Sequence, residues 1–127
     1  MIELSKLGER FENSAGWIQN LADFPVGGVQ LIHSVAGSSR SHHRHAEDGH
    51  WLYCLSGYFD YVERRVGDDG PPEQRRIKAG ECVFTGPLID HSTYFPVDTV
   101  LISMSLRPRT HEAHESDLIR VAPLPLT

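Results

Sequence analysis

Four histidines are placed where their side chains can meet around a metal ion. His43 and His45 are two residues apart, so on a β-strand both imidazoles point to the same face. His50 follows a short turn-like segment, residues 46–49, and a hairpin here would bring it opposite the first pair. His91, at the start of a later apolar stretch, is a candidate fourth ligand. Neutral imidazoles suit zinc, iron, nickel or manganese and would not select magnesium or calcium.

The same histidines have an alternative interpretation, because an H-x-H pair by itself is weak evidence for a metal site. The cluster over residues 42–50 would then be a solvated polar loop. His42 alternates with His43 along the chain, so we expect it to face solvent. The remaining histidines have no partner at ligand spacing and are interpreted as ordinary surface or core residues; they are His33, His111 and His114.

The elements that must position these side chains are predicted to be short strands. Runs of β-branched and aromatic residues occur at 29–35, 51–55, 59–63, 82–84 and 99–104. Residues 67–72 form the clearest loop, the best helical segment is the short stretch 110–117, and the tail at 122–127 is expected to be extended or frayed. No amphipathic helix is long enough for a βαβ crossover, so the pattern indicates a sandwich or barrel.

Composition restricts the class of protein and its partners. The chain has 127 residues, of which 39% are hydrophobic and 23% charged, as expected for one globular domain with a real core. A formal charge of -5 argues against non-specific nucleic-acid binding. The two cysteines form no C-x-x-C pair, and we find neither a signal-peptide core nor a membrane-length apolar stretch. These features predict a cytoplasmic protein without nucleic-acid or membrane partners.

The histidine spacing resembles the first motif of the cupin superfamily, G-x5-H-x-H-x3,4-E-x6-G. Gly37, His43, His45 and Gly57 occupy its fixed positions, and His50 stands where the family usually has Glu. The second motif, G-x5-P-x-G-x2-H-x3-N, is matched by Gly80 and His91. Three positions of that motif differ: Gly86, Leu88 and Phe95 replace its Pro, Gly and Asn.

The resemblance implies an all-β cupin fold, a double-stranded β-helix or jelly-roll barrel. It implies one cupin domain over residues 1–127, with motif 1 at 37–57, the loop at 67–72, motif 2 at 80–95 and a C-terminal tail at 107–127. It also implies one divalent metal (zinc, iron, nickel or manganese) on His43, His45, His50 and His91, and a homodimer. Four neutral imidazoles would leave the cation its full double charge and make it a stronger Lewis acid. The sequence does not decide between a closed tetrahedral site and an octahedral site with two free positions. It also does not decide whether His50 is a ligand or a base beside three ligands.

A weaker resemblance covers residues 16–21 and 91–100. These segments are similar to small cupins of nucleotide-sugar and surface-polysaccharide pathways, which include sugar epimerases and ketoisomerases. Such enzymes move a proton next to a carbonyl with His or Tyr as acid or base, and they often need no metal. The four-histidine set therefore argues against a simple transfer of that mechanism.

Strand alternation gives candidates for a substrate pocket. Cys54 shares the face of His50, and Thr93 and Phe95 share the face of His91. Tyr61 is a candidate acid, base or substrate contact on the next strand, with a core tyrosine as the alternative. Cys54 is otherwise a small buried hydrophobe. The basic pairs Arg64–Arg65 and Arg107–Arg109 are interpreted as surface charges, with an anion site as the alternative.

Three functions are compatible with these residues. The first is a metal-dependent enzyme acting on a small organic substrate, by isomerase, epimerase, lyase or hydrolytic chemistry on a sugar or other carbonyl compound. The second is an iron-dependent dioxygenase. The third is a non-catalytic module that binds a small ligand or senses it. One fold can host all three, so the choice depends on the site.

Overall fold

Short strands make up nearly all of the regular structure in the computed structural model, which describes residues 1–127. The strands are β1 (Glu3–Leu4), β2 (Phe11–Asn13), β3 (Gly16–Ile18), β4 (Gly28–Ser34), β5 (Ser38–His45), β6 (His50–Ser56), β7 (Tyr58–Arg65), β8 (Glu73–Lys78), β9 (Cys82–Thr85), β10 (Ile89–Phe95), β11 (Thr99–Ser105) and β12 (Leu118–Arg120). A single helix, α1, covers His111–Asp117. The predicted all-β class is confirmed.

Two five-stranded antiparallel sheets form the body of the molecule. The first sheet has the order β1-β9-β6-β11-β4, and the second has the order β12-β5-β10-β7-β8. A separate two-stranded sheet joins β2 and β3. Most neighbouring strands within the two large sheets are distant in sequence, because the chain crosses repeatedly from one sheet to the other.

The main core lies between the two sheets and receives side chains from both. Its buried members are Leu52, Cys54, Phe59, Tyr61, Ile77, Val83, Phe95 and Leu101. Along β6 the even-numbered residues point into this core, whereas Tyr53 belongs to a second cluster with Cys82 and Met104. Partly buried residues of the N-terminal segment, such as Leu7 and Leu21, pack on that second cluster. The alternation of side chains along β6 therefore follows the sequence prediction.

Segment 46–49 is not a hairpin turn, contrary to the sequence prediction. β5 and β6 lie in different sheets, and this segment carries the chain from one sheet to the other. The backbone N–H groups of Glu47 and Asp48 donate to the carboxylate of Asp117 at 2.9 and 3.1 Å instead of pairing across a turn. As a result His50 faces His43 and His45 across the interior of the barrel.

Two tight backbone positions coincide with the motif residues. Gly57 has φ +79°, and a Cβ there would lie 2.5 Å from the carbonyl oxygen of Asp98, so the position requires glycine. Leu88 stands where the second motif has Gly, and it adopts the left-handed conformation with φ 58°. Its N–H donates to the carbonyl of His45 at 2.8 Å, which ties motif 2 to motif 1.

The C-terminal segment is more ordered than the sequence suggested. Helix α1 begins after Thr110, whose side chain accepts a hydrogen bond from the N–H of Ala113, as expected for an N-cap. Beyond β12 the tail was expected to be extended or frayed, yet Leu124 is 2% exposed. Its N–H donates to Ser92, and its carbonyl accepts a hydrogen bond from Tyr94. No helix in the chain has the length or apolar character to cross a membrane.

Candidate functional site

The four predicted histidines converge inside the barrel. His43 on β5 and His91 on β10 are paired across two neighbouring strands. Nitrogen atoms of His43, His45 and His91 all lie within 4.8 Å of one another. His50 reaches the group from the opposite sheet, and its Nε2 lies 3.3 Å from Nε2 of His91. The geometry thus gives a close group of three imidazoles with His50 against one of them.

Burial keeps these imidazoles neutral. His45, His50 and His91 are 1%, 4% and 0% exposed. Loss of contact with water lowers the pKa of His43 to about 2, of His91 to about 3 and of His45 to about 4. Burial lowers the pKa of His50 as well, and the neighbouring histidines and Arg109 add to the effect. At neutral pH the site therefore presents uncharged rings with free lone pairs.

The outer ring nitrogens of His91 and His45 face acceptors, which leaves their inner nitrogens available. Nδ1 of His91 lies 3.0 Å from the carbonyl of Ile89, which can only accept, so Nδ1 carries the proton and Nε2 the lone pair. Nδ1 of His45 lies 3.4 Å from a carboxylate oxygen of Asp117. This contact is not a hydrogen bond, so both ring nitrogens of His45 have no hydrogen-bond partner within the protein.

Buried imidazole nitrogens without partners fit a borderline divalent cation. Such groups are costly to leave unpaired, and a cation would use their lone pairs. The outer carbonyl or carboxylate partner is also the usual support for a metal-ligating histidine. The residues present therefore fit zinc, iron, nickel or manganese, with His43, His45 and His91 as the central ligands and His50 as the fourth.

A β-bulge in β5 orients this group. The register of β5 against β10 shifts between His91 and Ser92, and both Ser41 and His42 have positive φ, 72° and 59°. Bulges of this kind occur next to functional sites, where they redirect side chains. His42 points away from the other histidines, as predicted. It is half-buried, however, and its ring nitrogens bond to the hydroxyls of Ser92 and Ser39 at 2.9 Å, so it does not simply face solvent.

A cavity of about 220 Å³ opens onto His43 and His50 of this group. Its polar lining consists of Gln30, Arg40, Ser41, His43, His50, Thr93, Ser103, Arg109 and His114, and its apolar lining of Ile32, Leu52, Phe95 and Leu101. This volume is below the ~300 to 1,000 Å³ typical of sites for drug-sized ligands, so the cavity suits a small molecule.

The predicted pocket residues occupy different places. Thr93 and Phe95 line the cavity, whereas Cys54 does not. Cys54 is 0% exposed in the main core, its thiol lies 3.6 Å from the carbonyls of Ser56 and Gly57, and burial raises its pKa to about 11. These properties are those of a buried hydrophobe and not of a nucleophile.

Tyr61, the predicted acid or base, also lies in the main core. It is 0% exposed, and its hydroxyl donates to Glu63 at 3.0 Å and contacts the hydroxyl of Thr85. Burial raises the pKa of Tyr61 well above its ordinary value. Its ring centroid is 6.4 Å from that of His91, and it is absent from the cavity lining. The Tyr61 ring therefore packs near His91 within the core and does not line the cavity.

Three site residues were missed because they come from the C-terminal segment. The ring centroid of His114 on α1 lies 6.0 Å from that of His43 and 5.6 Å from that of His45, so it joins the cluster. Arg109 was interpreted as a surface charge, yet its side chain is 10% exposed and lines the cavity. Asp117 is buried beside His45.

A network of charges holds this segment against segment 46–49. Arg109 Nε donates to Asp48 at 3.0 Å, and the backbone N–H of Arg107 donates to the other oxygen of Asp48 at 3.0 Å. Arg107 also reaches Asp117 at 3.2 Å and Glu47 at 2.9 Å. The hydrogen bonds that Asp117 accepts from segment 46–49, together with its neighbours His45 and Arg107, lower its pKa although burial opposes this. The network fixes Asp117 as an anion beside His45.

Comparisons with known proteins bear on the fold. No protein-family model matches the sequence, and no curated protein matches it. Among solved structures, the sugar 3,4-ketoisomerase QdtA from Thermoanaerobacterium thermosaccharolyticum, in complex with TDP, is 18% identical over 94% of this chain and 87% of that chain, with a TM-score of 0.76.

Two further solved structures are similar to the same extent. ChmJ, a 3'-monoepimerase from Streptomyces bikiniensis in complex with dTDP-quinovose, is 17% identical over 94% of this chain and 69% of that chain, with a TM-score of 0.75. A dTDP sugar isomerase from Desulfovibrio desulfuricans is 10% identical over 99% of this chain and 89% of that chain, with a TM-score of 0.74. Together with the two facing antiparallel sheets, these likenesses show that the chain has the all-β cupin fold.

Proposed function

We propose that the chain is a metal-dependent enzyme that isomerises or epimerises a small carbonyl compound, with a sugar as the preferred class. The observation that carries the proposal is the buried group of neutral imidazoles. His43, His45 and His91 place nitrogens within 4.8 Å of one another, and neither nitrogen of His45 is used by the protein. His50 adds a fourth nitrogen from the opposite sheet.

A divalent cation held there would polarise a carbonyl or enol oxygen of the ligand. The protein itself supplies the rest of the lining. His114 accepts from the Arg109 guanidinium at Nδ1, 3.3 Å away, so its ring proton is at Nε2 and can be donated to a ligand oxygen. Leu52 and Phe95 give the cavity an apolar side that limits access of water.

Sugar chemistry is supported by the similar structures. QdtA is a sugar ketoisomerase crystallised with TDP-4-keto-6-deoxyglucose, and ChmJ is an epimerase crystallised with dTDP-quinovose. Both reactions move hydrogen next to a carbonyl, which a Lewis acid and a nearby imidazole can promote. The polar lining, with Gln30, Ser41, Thr93 and Ser103, also suits hydroxyl groups.

The first test is metal content by inductively coupled plasma mass spectrometry, on protein purified without a His-tag or a nickel column. We expect about one equivalent of zinc, iron, nickel or manganese, lost in His45→Ala. The matched control is His42→Ala, because His42 lies in the same strand but points away from the cluster. Metal-free protein that cannot be reloaded would contradict the proposal.

The second test examines the reaction. The metal-loaded protein is incubated in D2O with a panel of keto sugars and 2-oxo acids, and NMR follows deuterium incorporation next to the carbonyl. Incorporation that depends on metal and proceeds without oxygen supports isomerase-type chemistry. Turnover that requires oxygen and iron would identify a dioxygenase, and tight binding without turnover would identify a binding or sensory module.

A homodimer is a further part of the proposal. β4 forms one edge of the first sheet, and its outward side chains Val29 and Leu31 are 62% and 75% exposed. An exposed apolar edge strand is a natural pairing surface for a second copy. Multi-angle light scattering gives the mass in solution, and Leu31→Lys should convert a dimer to a monomer.

A further inference from the structure

Arg109 is a buried cation next to the candidate metal centre. It lies between β11 and α1, and its side chain is 10% exposed. Its Nε donates to Asp48 at 3.0 Å, and its Nη1 lies 3.3 Å from Nδ1 of His114. The remaining nitrogen, Nη2, is buried and finds no acceptor among the protein's own atoms. An unused donor of this kind is costly unless a ligand satisfies it.

No group of the surrounding lining accepts a hydrogen bond from Nη2. The cavity onto which Arg109 opens has no aspartate or glutamate in its lining, only neutral polar, apolar, imidazole and guanidinium groups. Asp48 pairs with Arg109 through Nε but makes no hydrogen bond with Nη2. A divalent cation on neutral imidazoles would add two further positive charges close by. The combined charges favour an anion in the cavity.

Arg40, the second arginine in the cavity lining, differs from Arg109 in its exposure and in its hydrogen bonds. Arg40 Nε donates to the hydroxyl of Ser34 at 2.8 Å, and Arg40 Nη2 donates to the carbonyl of His33 at 2.9 Å. Two of its three guanidinium nitrogens are thus engaged by the protein, and unlike Arg109 it is an exposed residue. Only Arg109 combines burial, a free donor and proximity to the histidines.

We infer that Arg109 binds a carboxylate of the ligand, and that the substrate is a keto or hydroxy acid, such as a sugar acid. The inference rests on the proposed function, since the oxygen beside the carboxylate would face the histidine group. A carboxylate oxygen matches the single free Nη2, whereas a phosphate dianion would need several free donors. A cavity of about 220 Å³ also suits a small acid.

The test compares two probes that differ only in charge, pyruvate and pyruvamide. Isothermal titration calorimetry measures both against zinc-reloaded and EDTA-treated protein, whose metal content is determined separately. We expect pyruvate to bind at least about tenfold more tightly than pyruvamide, because a hydrogen bond to a charged group is worth roughly 1.5 to 3 kcal/mol. Equal affinities in metal-loaded protein would overturn the inference and leave the proposed metal site standing.

Variants assign the effect to Arg109. Arg109→Gln should lower pyruvate affinity at least about tenfold and leave pyruvamide unchanged. Arg120→Gln, the control, changes an exposed arginine outside the cavity lining and should alter pyruvate affinity by less than about threefold. Because Arg109→Gln removes the partner of buried Asp48 and can unfold the chain, Arg109→Lys provides a second variant. It keeps the positive charge but loses the guanidinium donors, so pyruvate affinity should again fall about tenfold.

The remaining outcomes separate the two proposals. If no metal binds to any preparation, the proposed function fails, yet the preference for pyruvate in EDTA-treated wild-type protein still tests Arg109 by itself. Loss of that preference only in Arg40→Gln would overturn the assignment to Arg109. Tighter binding of inorganic phosphate than of pyruvate would overturn the assignment to a carboxylate.

Discussion

The Nε2 atoms of His50 and His91 lie 3.3 Å apart although the two residues belong to different sheets. Two nitrogens bound to one ion at about 2.0 to 2.1 Å would be separated by roughly 3.0 to 3.4 Å. Because Nδ1 of His91 is committed to the Ile89 carbonyl, Nε2 of His91 presents its lone pair to His50. The separation thus fits two ligands of one cation, and without a cation a single proton can bridge the two nitrogens.

His50→Ala should therefore weaken metal binding. We expect a loss larger than the roughly 10- to 100-fold that follows removal of an outer-sphere partner. His50→Glu, which restores the residue usual at this position of the cupin motif, should retain metal. Affinities are measured by competition with a chromogenic chelator. Unchanged affinity in His50→Ala, together with loss of turnover, would instead make His50 a base beside three ligands.

Asp117 is predicted to tune the site without touching the metal. Its carboxylate faces Nδ1 of His45 at 3.4 Å, the arrangement in which an anion orients a ligating histidine and raises its basicity. Asp117→Asn should lower metal affinity by about 10- to 100-fold. Asp90→Asn serves as the control, because Asp90 is a comparably buried carboxylate that pairs with Arg44. If both variants lower the affinity equally, the effect of Asp117 is only structural.

Much of the fold and the central histidines could be predicted because local chemistry specifies them. The position of His91 was indicated by the resemblance to the second cupin motif. The common face of His43 and His45 follows from strand alternation, and the turn at Gly57 follows from backbone conformation. The alternation along β6 likewise placed Cys54 on the inner face, where the structure has it. These features depend on neighbours in sequence, so the sequence carries them directly.

Residues supplied by a distant segment could not be predicted in this way. Arg109 and His114 reach the histidines only because Asp48 and Asp117 fasten the C-terminal segment to the crossover at residues 46–49. That crossover was predicted as a hairpin, since short polar turns look alike whether they join paired strands or strands of two sheets. A hairpin at residues 46–49 gives no reason to expect the C-terminal segment beside the site, so Arg109 and His114 were not predicted there.

Metal-free protein should lose stability as the pH falls below about 6.5. Burial lowers the pKa of His43 to about 2, of His91 to about 3 and of His45 to about 4, against about 6.5 in the unfolded chain. Between these values the unfolded state binds more protons than the folded state, so the free energy of unfolding falls as the pH falls. Arg109 and His114 face these rings and oppose their protonation.

Urea denaturation of EDTA-treated protein at pH 7.5, 6.5, 5.5 and 4.5 measures this effect. Each proton taken up only on unfolding lowers the free energy of unfolding by about 1.4 kcal/mol per pH unit. His43→Asn removes one such group and should flatten the profile, whereas His111→Asn, an exposed position, should keep the wild-type profile. A pH-independent midpoint in the wild-type protein would contradict the prediction.

Leu88 is predicted to carry backbone strain. It replaces the glycine of the second motif and has φ 58°, a conformation that costs an ordinary L-residue roughly 1 to 2 kcal/mol. Its side chain is 50% exposed, so a smaller residue there loses little packing. Leu88→Gly should therefore be more stable than Leu88→Ala by about 1 kcal/mol, because only the alanine keeps the Cβ that opposes positive φ.

A control pair of glycine and alanine variants at an ordinary strand position should show the opposite difference in stability. Ile119 is 45% exposed on β12, pairs in regular register with Arg44 and is not among the residues with positive φ. At such a strand position glycine costs roughly 0.5 to 1 kcal/mol relative to alanine, so Ile119→Gly should be less stable than Ile119→Ala. Chemical denaturation of the four variants gives both differences. If glycine is the less stable residue at both sites, then Leu88 holds no strain, and the departure from the motif is energetically neutral.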